Sequence, residues 1–147
     1  MKMLKKKFKM YNPKLKEECA VFGISNTPEA STLTALGLHA LQHRGQEGCG
    51  IVSFDGRNYH SEKRQGLVGD HFTDTKILKN LPGNFAIGHN RYSTTGETSL
   101  RNIQPFFADL HLGGLSVAHN GNLTNALNLR ESLVREGAIF RTTSDTE

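Results

Sequence analysis

Apolar residues along the chain come in short bursts, each closed by Gly, Pro, Asn or Asp. Ala20 to Ile24 is such a burst and reads as a short buried strand. Asn26-Thr27-Pro28-Glu29 is a helix-start signal, with Pro just inside. Leu33, Leu36, Gly37, Ala40 and Leu41 then recur at helical spacing, which predicts a helix from Ala30 to about Gln42, ended by Gly45. Gly50 to Phe54 reads as a strand, Asp55-Gly56 as a hairpin turn, and Arg57 to Lys63 as the return strand. Gly66 and Gly69 break the pattern, and Thr73 to Leu81 reads as a short helix closed by Pro82-Gly83. Asn84 to His89 reads as a second buried strand, followed by a polar loop from Tyr92 to Ser99. Pro105 to Leu112 and Leu115 to His119 flank Gly113-Gly114 as a hairpin, and Asn120-Gly121-Asn122 is a tight loop. Thr124 is expected to cap a helix carrying Leu127, Leu129, Leu133 and Val134, with Gly137 as its stop. Ala138 to Thr142 reads as another strand. Ser144-Asp145-Thr146-Glu147 has the form of a capping box and predicts a further helix, so the chain is expected to continue beyond residue 147.

The length of 147 residues suits one domain, and 36% hydrophobic with 22% charged residues suits a soluble globular one. No apolar stretch approaches the ~18 residues of a membrane span, so no membrane role is expected. The net charge of +4 is unevenly placed. Residues 1–18 hold seven Lys and two Glu and carry +5, which leaves −1 for the rest. The basicity belongs to this leader, so it gives no support for nucleic-acid binding by the domain. The leader lacks the apolar core of a secretory signal and is Lys-rich rather than Arg- or Ser-rich. It reads as a disordered, removable extension, and a cytoplasmic setting is expected.

Cys19 stands where this charged leader meets the first apolar run. A thiol titrates near ~8.5 and an α-amino group near ~7.7–8.0. If the Glu18–Cys19 bond were cut, the freed amine beside the thiol could take its proton and activate it. The plainer alternative is a small residue buried at the start of a strand. Cys49, in Gly48-Cys49-Gly50 before a buried strand, reads as structural, and two cysteines make no disulfide framework. A single Cys19–Cys49 disulfide is the bland alternative. His39 and His43 lie four apart, but there is no His-Glu-x-x-His and no cysteine cluster, so no zinc site is expected. His89 and His119 are expected to hydrogen-bond locally.

Polar clusters then gather at the predicted strand and helix ends. They are His43-Arg44-Gly45-Gln46-Glu47, the stretch from His89 to Gly96, and His119-Asn120-Gly121-Asn122, with Asp145 further on. Together with Glu18-Cys19-Ala20-Val21-Phe22-Gly23 and Ser144-Asp145-Thr146-Glu147, these blocks resemble the glutaminase half of the amidophosphoribosyltransferases. The resemblance covers residues 16–147. Arg91-Tyr92-Ser93-Thr94-Thr95-Gly96 and His119 to Asn125 favour this branch over the sugar-phosphate aminotransferases and asparagine synthetases.

The resemblance implies an α+β fold: the four-layer α/β/β/α sandwich of the N-terminal-nucleophile hydrolases, incomplete at its C-terminal end. It implies a basic propeptide over residues 1–18 and a partial glutaminase domain over 19–147, with the phosphoribosyltransferase domain absent. It implies that the Cys19 thiol attacks the side-chain amide of glutamine and forms a thioester that water cleaves. The ammonia released would pass to phosphoribosyl pyrophosphate in purine biosynthesis. Arg91 would grip the substrate α-carboxylate with its planar fork, and Asp145 would bind the α-ammonium. Asn120 and Gly121 would form the oxyanion hole. Tyr92 and Thr94 would line or close the pocket, and Arg44 would lie near the nucleophile, facing the thiolate or a carboxylate. For Arg91 the alternative is a structural ion pair, for Asn120-Gly121 an ordinary turn, and for Asp145 a first-turn acid favoured by a helix dipole. No cofactor is expected in this chain; Mg²⁺, and in some members an iron–sulfur cluster, would belong to the missing part. The full-length protein would be a homo-oligomer. A different class of reading also stands: an unprocessed fragment that at most binds glutamine or a partner without turnover.

Overall fold

The computed structural model describes residues 18–92 and 99–147. The polar loop expected at 92–99 therefore falls mostly outside the described residues, and Thr94 with it, as does nearly all of the leader. The first strand, β1 (Ala20–Ser25), alternates between buried and exposed positions rather than being buried throughout. Its outer neighbour in sequence is α1 (Ala30–Ala40), followed by a single 3-10 turn at Gln42–Arg44. Strands β2 (Gly48–Phe54) and β3 (Tyr59–Gln65) form the hairpin that Asp55-Gly56 predicted. The Asp55 carboxylate holds that turn, accepting 2.8 Å bonds from the Arg57 and Asn58 N–H groups. Two short helices follow, α2 (Val68–His71) and α3 (Thr75–Lys79). The first was not expected, because Gly69 reads as a breaker.

Strand β4 (Phe85–Arg91) is central: among the described residues one antiparallel sheet runs β1-β4-β2-β3. The core lies on the α1 side of this sheet, where Ala30, Ala35 and Leu38 meet Cys49, Ile51 and Ala86. The helix face differs from the one its leucines suggested. Leu36 is 60% exposed, and the buried stripe is Ala30, Ser31, Thr34, Ala35 and Leu38. Small residues line this stripe and let α1 settle close on the sheet, where Leu38 and Thr34 lie over Gly88.

On the opposite face lies a hairpin of β5 (Phe106–Leu110) and β6 (Gly113–Val117). Gly113 and Gly114 open β6 rather than forming the turn. Tyr59 links hairpin to sheet: its ring stacks between Phe54 and Phe107, and its hydroxyl donates to the Gly114 carbonyl at 3.0 Å. Helix α4 (Ala126–Arg135) follows, with Asn125 rather than Thr124 at its N-cap. The strand expected at Ala138 to Thr142 is not formed. Instead the N–H groups of Arg141 and Thr142 donate to the Glu147 carboxylate at 2.7 and 2.8 Å, so side-chain oxygens take the place of a strand partner. The same bonds undo the expected capping box: Ser144 Oγ accepts from the Thr146 N–H, but Glu147 reaches back past Ser144.

Candidate active site

Because successive strand residues point to opposite faces, β4 divides its polar residues between two layers. Asn90 faces α1, where its amide donates to the Leu38 carbonyl at 2.7 Å. His89 and Arg91 face the other way, opposite Gly50 and Gly48 of β2. Ala20 pairs with Asn90, so Cys19 lies one step beyond, level with Arg91 at the end of the sheet.

Cys19 is half-buried and its backbone has φ of 57°, in the left-handed region. A non-glycine residue held there costs on the order of 1–3 kcal/mol and is commonest at functional sites. Its Sγ sits against the main chain of Tyr92, 3.3 Å from the N–H and 3.4 Å from the carbonyl oxygen. The Cys19 nitrogen is here the amide of the Glu18–Cys19 bond. Two side chains converge on the Cys19 carbonyl: Arg44 Nε donates to it at 2.8 Å, and Asn120 Nδ2 at 3.4 Å. Arg44 thus holds the Cys19 backbone in place. It is brought there by the 3-10 turn after α1, and Gly45 lets that turn touch β4. A Cβ on Gly45 would come within 2.8 Å of the Arg91 carbonyl.

Arg91 donates from Nη1 to the Asn102 carbonyl at 3.2 Å. Its Nε is buried with no hydrogen-bond partner among the described residues. Asp145 accepts from the Leu123 N–H at 2.7 Å, which ties it to the loop carrying Asn120 and Gly121. Cys19, Arg44, Arg91, Tyr92, Asn120 and Gly121 are therefore brought to one end of the sheet, with Asp145 linked through Leu123. It is the Tyr92 main chain that touches the thiol.

The remaining candidates separate cleanly. Cys49 is fully buried, and burial pushes its thiol up to about 12, so it stays protonated and inert. Both cysteines are free thiols, which removes the disulfide alternative. His119 bonds locally as expected, its N–H donating to Gln104 Oε1 at 2.7 Å. His89 differs: it is 1% exposed, and neither ring nitrogen has a hydrogen-bond partner among the described residues. Burial, then the nearby Arg91 charge, lower its pKa to about 4; the His119 main chain offsets part of this without reaching bonding geometry. Among the described residues no group of three His, Cys, Asp or Glu could hold a metal ion, and no helix is long and apolar enough to cross a membrane.

The sequence reading missed Asn102 and Gln104. They are buried polar residues beside the site, and Arg91 and His119 both bond to their segment. The one signal was their position, two amides just before a Pro-led strand.

A protein-family profile described as a glutamine amidotransferase domain matches residues 89–147. The chain is also 50% identical over 138 residues to a Lacticaseibacillus casei protein named amidophosphoribosyltransferase, covering 93% of this chain and 71% of that protein. The chain belongs to the amidophosphoribosyltransferase family. A Rhizobium etli member is 61% identical over 133 residues, which are 90% of this chain and 27% of that protein. The chain thus spans about a quarter of the length of the first curated relatives it matches. Among solved structures, an allosteric regulatory enzyme of purine biosynthesis superposes with a TM-score of 0.80 at 47% identity, over 86% of this chain and 27% of that one. The glutamine phosphoribosylpyrophosphate amidotransferase of B. subtilis, complexed with ADP and GMP, gives 0.77 at 46%, again over 86% and 27%. The fold expectation is met: the mixed α+β architecture is that of the N-terminal-nucleophile glutaminase domain.

Proposed function

We propose that this chain is the glutaminase part of an amidophosphoribosyltransferase, with Cys19 as the nucleophile. The observation that carries the reading is the convergence at one sheet end of a strained, half-buried thiol, an arginine fork and an amide-bearing loop tied to a carboxylate. After scission of the Glu18–Cys19 bond, the Cys19 amine takes the thiol proton. Sγ bonds to the amide carbon of glutamine, and the carbonyl oxygen becomes an oxyanion facing Asn120 and the Gly121 N–H. Loss of one such donor would cost ~2.7–4 kcal/mol. The carbon–nitrogen bond then breaks, and the leaving nitrogen takes the proton to depart as ammonia. Water attacks the thioester, its hydroxyl staying on the carbon and its other proton returning to the thiolate, which gives glutamate.

Arg91 holds the α-carboxylate, Asp145 the α-ammonium, and Tyr92 borders the pocket. Arg44 keeps the Cys19 carbonyl fixed while the thiol reacts. The ammonia passes to phosphoribosyl pyrophosphate, bound by the part of the protein beyond these residues. Reduced cysteines fit a cytosolic setting, although several plant relatives are named as chloroplastic. A second reading is a chain that keeps residues 1–18: it would bind glutamine or a partner without turnover.

The test is Cys19→Ala in the full-length protein. Glutamine-dependent synthesis should disappear, and synthesis from free ammonia should persist. Glutamine-dependent activity that survives the substitution refutes the reading.

A further inference from the structure

Three stretches distant in sequence meet at two buried amides. Asn102 and Gln104 are 7% and 5% exposed and sit just before β5. Gln104 Oε1 accepts the His119 N–H at 2.7 Å, and its Nε2 donates to Thr146 Oγ1 at 3.0 Å. That hydroxyl also lies 3.3 Å from His119 Nδ1, which closes a triangle. Asn102 makes the parallel connection. Its Oδ1 accepts the Thr143 N–H at 3.1 Å, its Nδ2 donates to Thr143 Oγ1 at 2.9 Å, and its carbonyl accepts from Arg91.

Asn120 follows His119 directly, and Asp145 lies between Thr143 and Thr146. The two amides therefore touch the residues that flank or orient the oxyanion loop, the ammonium-binding carboxylate and the carboxylate-binding arginine. The segment that carries them is itself pressed on the sheet at Gly50. There a Cβ would come within 2.3 Å of the Gln104 carbonyl oxygen.

We propose that Gln104, supported by Asn102, is a positioning residue of the glutamine site, holding the Asn120-Gly121 loop and the Asp145 segment at a fixed separation. This rests on the glutaminase reading above. A primary amide suits the task because it accepts on one side and donates on the other within one rigid plane. An apolar side chain of the same length would leave the His119 N–H buried without a partner, and the loop would shift to find one. Misplacement of a catalytic group by about 1 Å can cost ~10²-fold in rate. An amide that merely stabilised the fold would affect every activity alike.

The decisive experiment compares Gln104→Met, Thr146→Val and Thr146→Ser in the processed, full-length protein. Three readouts are taken: kcat/KM with glutamine, synthesis from ammonia, and alkylation of Cys19 by iodoacetamide, which needs no amino-acid recognition. Gln104→Met should lower kcat/KM for glutamine roughly 10- to 100-fold and leave the other two readouts at wild-type values. Thr146→Val should move in the same direction, Thr146→Ser should restore function, and adding Thr146→Val to Gln104→Met should cost little more. Wild-type glutamine kinetics in Gln104→Met would overturn the proposal. So would a parallel fall in all three readouts. If Gln104→Met does not fold, equal kinetics for Thr146→Val and Thr146→Ser overturn it. A wild-type protein with no Cys19-dependent glutaminase activity instead refutes the underlying reading, whatever Gln104 does.

Discussion

On strand β4 the imidazole of His89 is packed away from water, and its pKa is lowered to about 4 by burial and by the neighbouring Arg91 charge. An unfolded histidine titrates near ~6.5. Between these values the unfolded chain binds a proton that the folded one does not, so stability falls as pH drops from about 6.5 to about 4, at up to ~1.4 kcal/mol per unit. Below that both states are protonated and this contribution to the slope ends. Urea unfolding midpoints across this range should show the decline in the wild type and a flatter profile in His89→Asn. Equal slopes would contradict the assignment. At this scale the sequence shows where the candidate residues stand. Cys19, Arg91 and Asn120 stand in recognisable blocks, and chemistry limits what a thiol, a guanidinium or an amide can do there. His89 was misjudged because a histidine looks alike in sequence whether its ring finds a partner or is walled in by a sheet.

At the scale of elements, the strands were readable where turns punctuate them. Asp55-Gly56 marked the β2–β3 hairpin, and Gly56 indeed takes a positive φ of 98°. The helix face of α1 was misread because leucines were weighted above Ala30, Thr34 and Ala35, and closeness of packing favours the small residues. The false strand after Gly137 shows the limit of a local pattern: apolar residues make a strand only when a neighbour accepts their hydrogen bonds. Element packing also carries a prediction. Gly50→Ala places a methyl group against the Gln104 carbonyl, and the 102–104 segment must lift from the sheet. Overpacking of this kind costs about 1–3 kcal/mol. The unfolding midpoint should fall and KM for glutamine should rise together. A lowered midpoint with an unchanged KM would separate this packing contact from the site.

In the molecule as a whole, the sheet end joins residues far apart in sequence, such as Asn120 and Cys19, whose contact spans 101 positions. No periodicity in the sequence announces such a meeting. It was legible only through the ordered blocks of a family, whereas Gln104, outside those blocks, became visible only through its partners. The central claim is that Cys19, once its amino group is free, attacks the glutamine side chain. It is tested most directly by treating the full-length protein with a glutamine analogue bearing an electrophilic ketone, then mapping the adduct by peptide mass. The expected result is one adduct, slowed by glutamine, on a peptide whose first residue is Cys19. An adduct on Cys49, or on a peptide that still carries Glu18, would contradict the account.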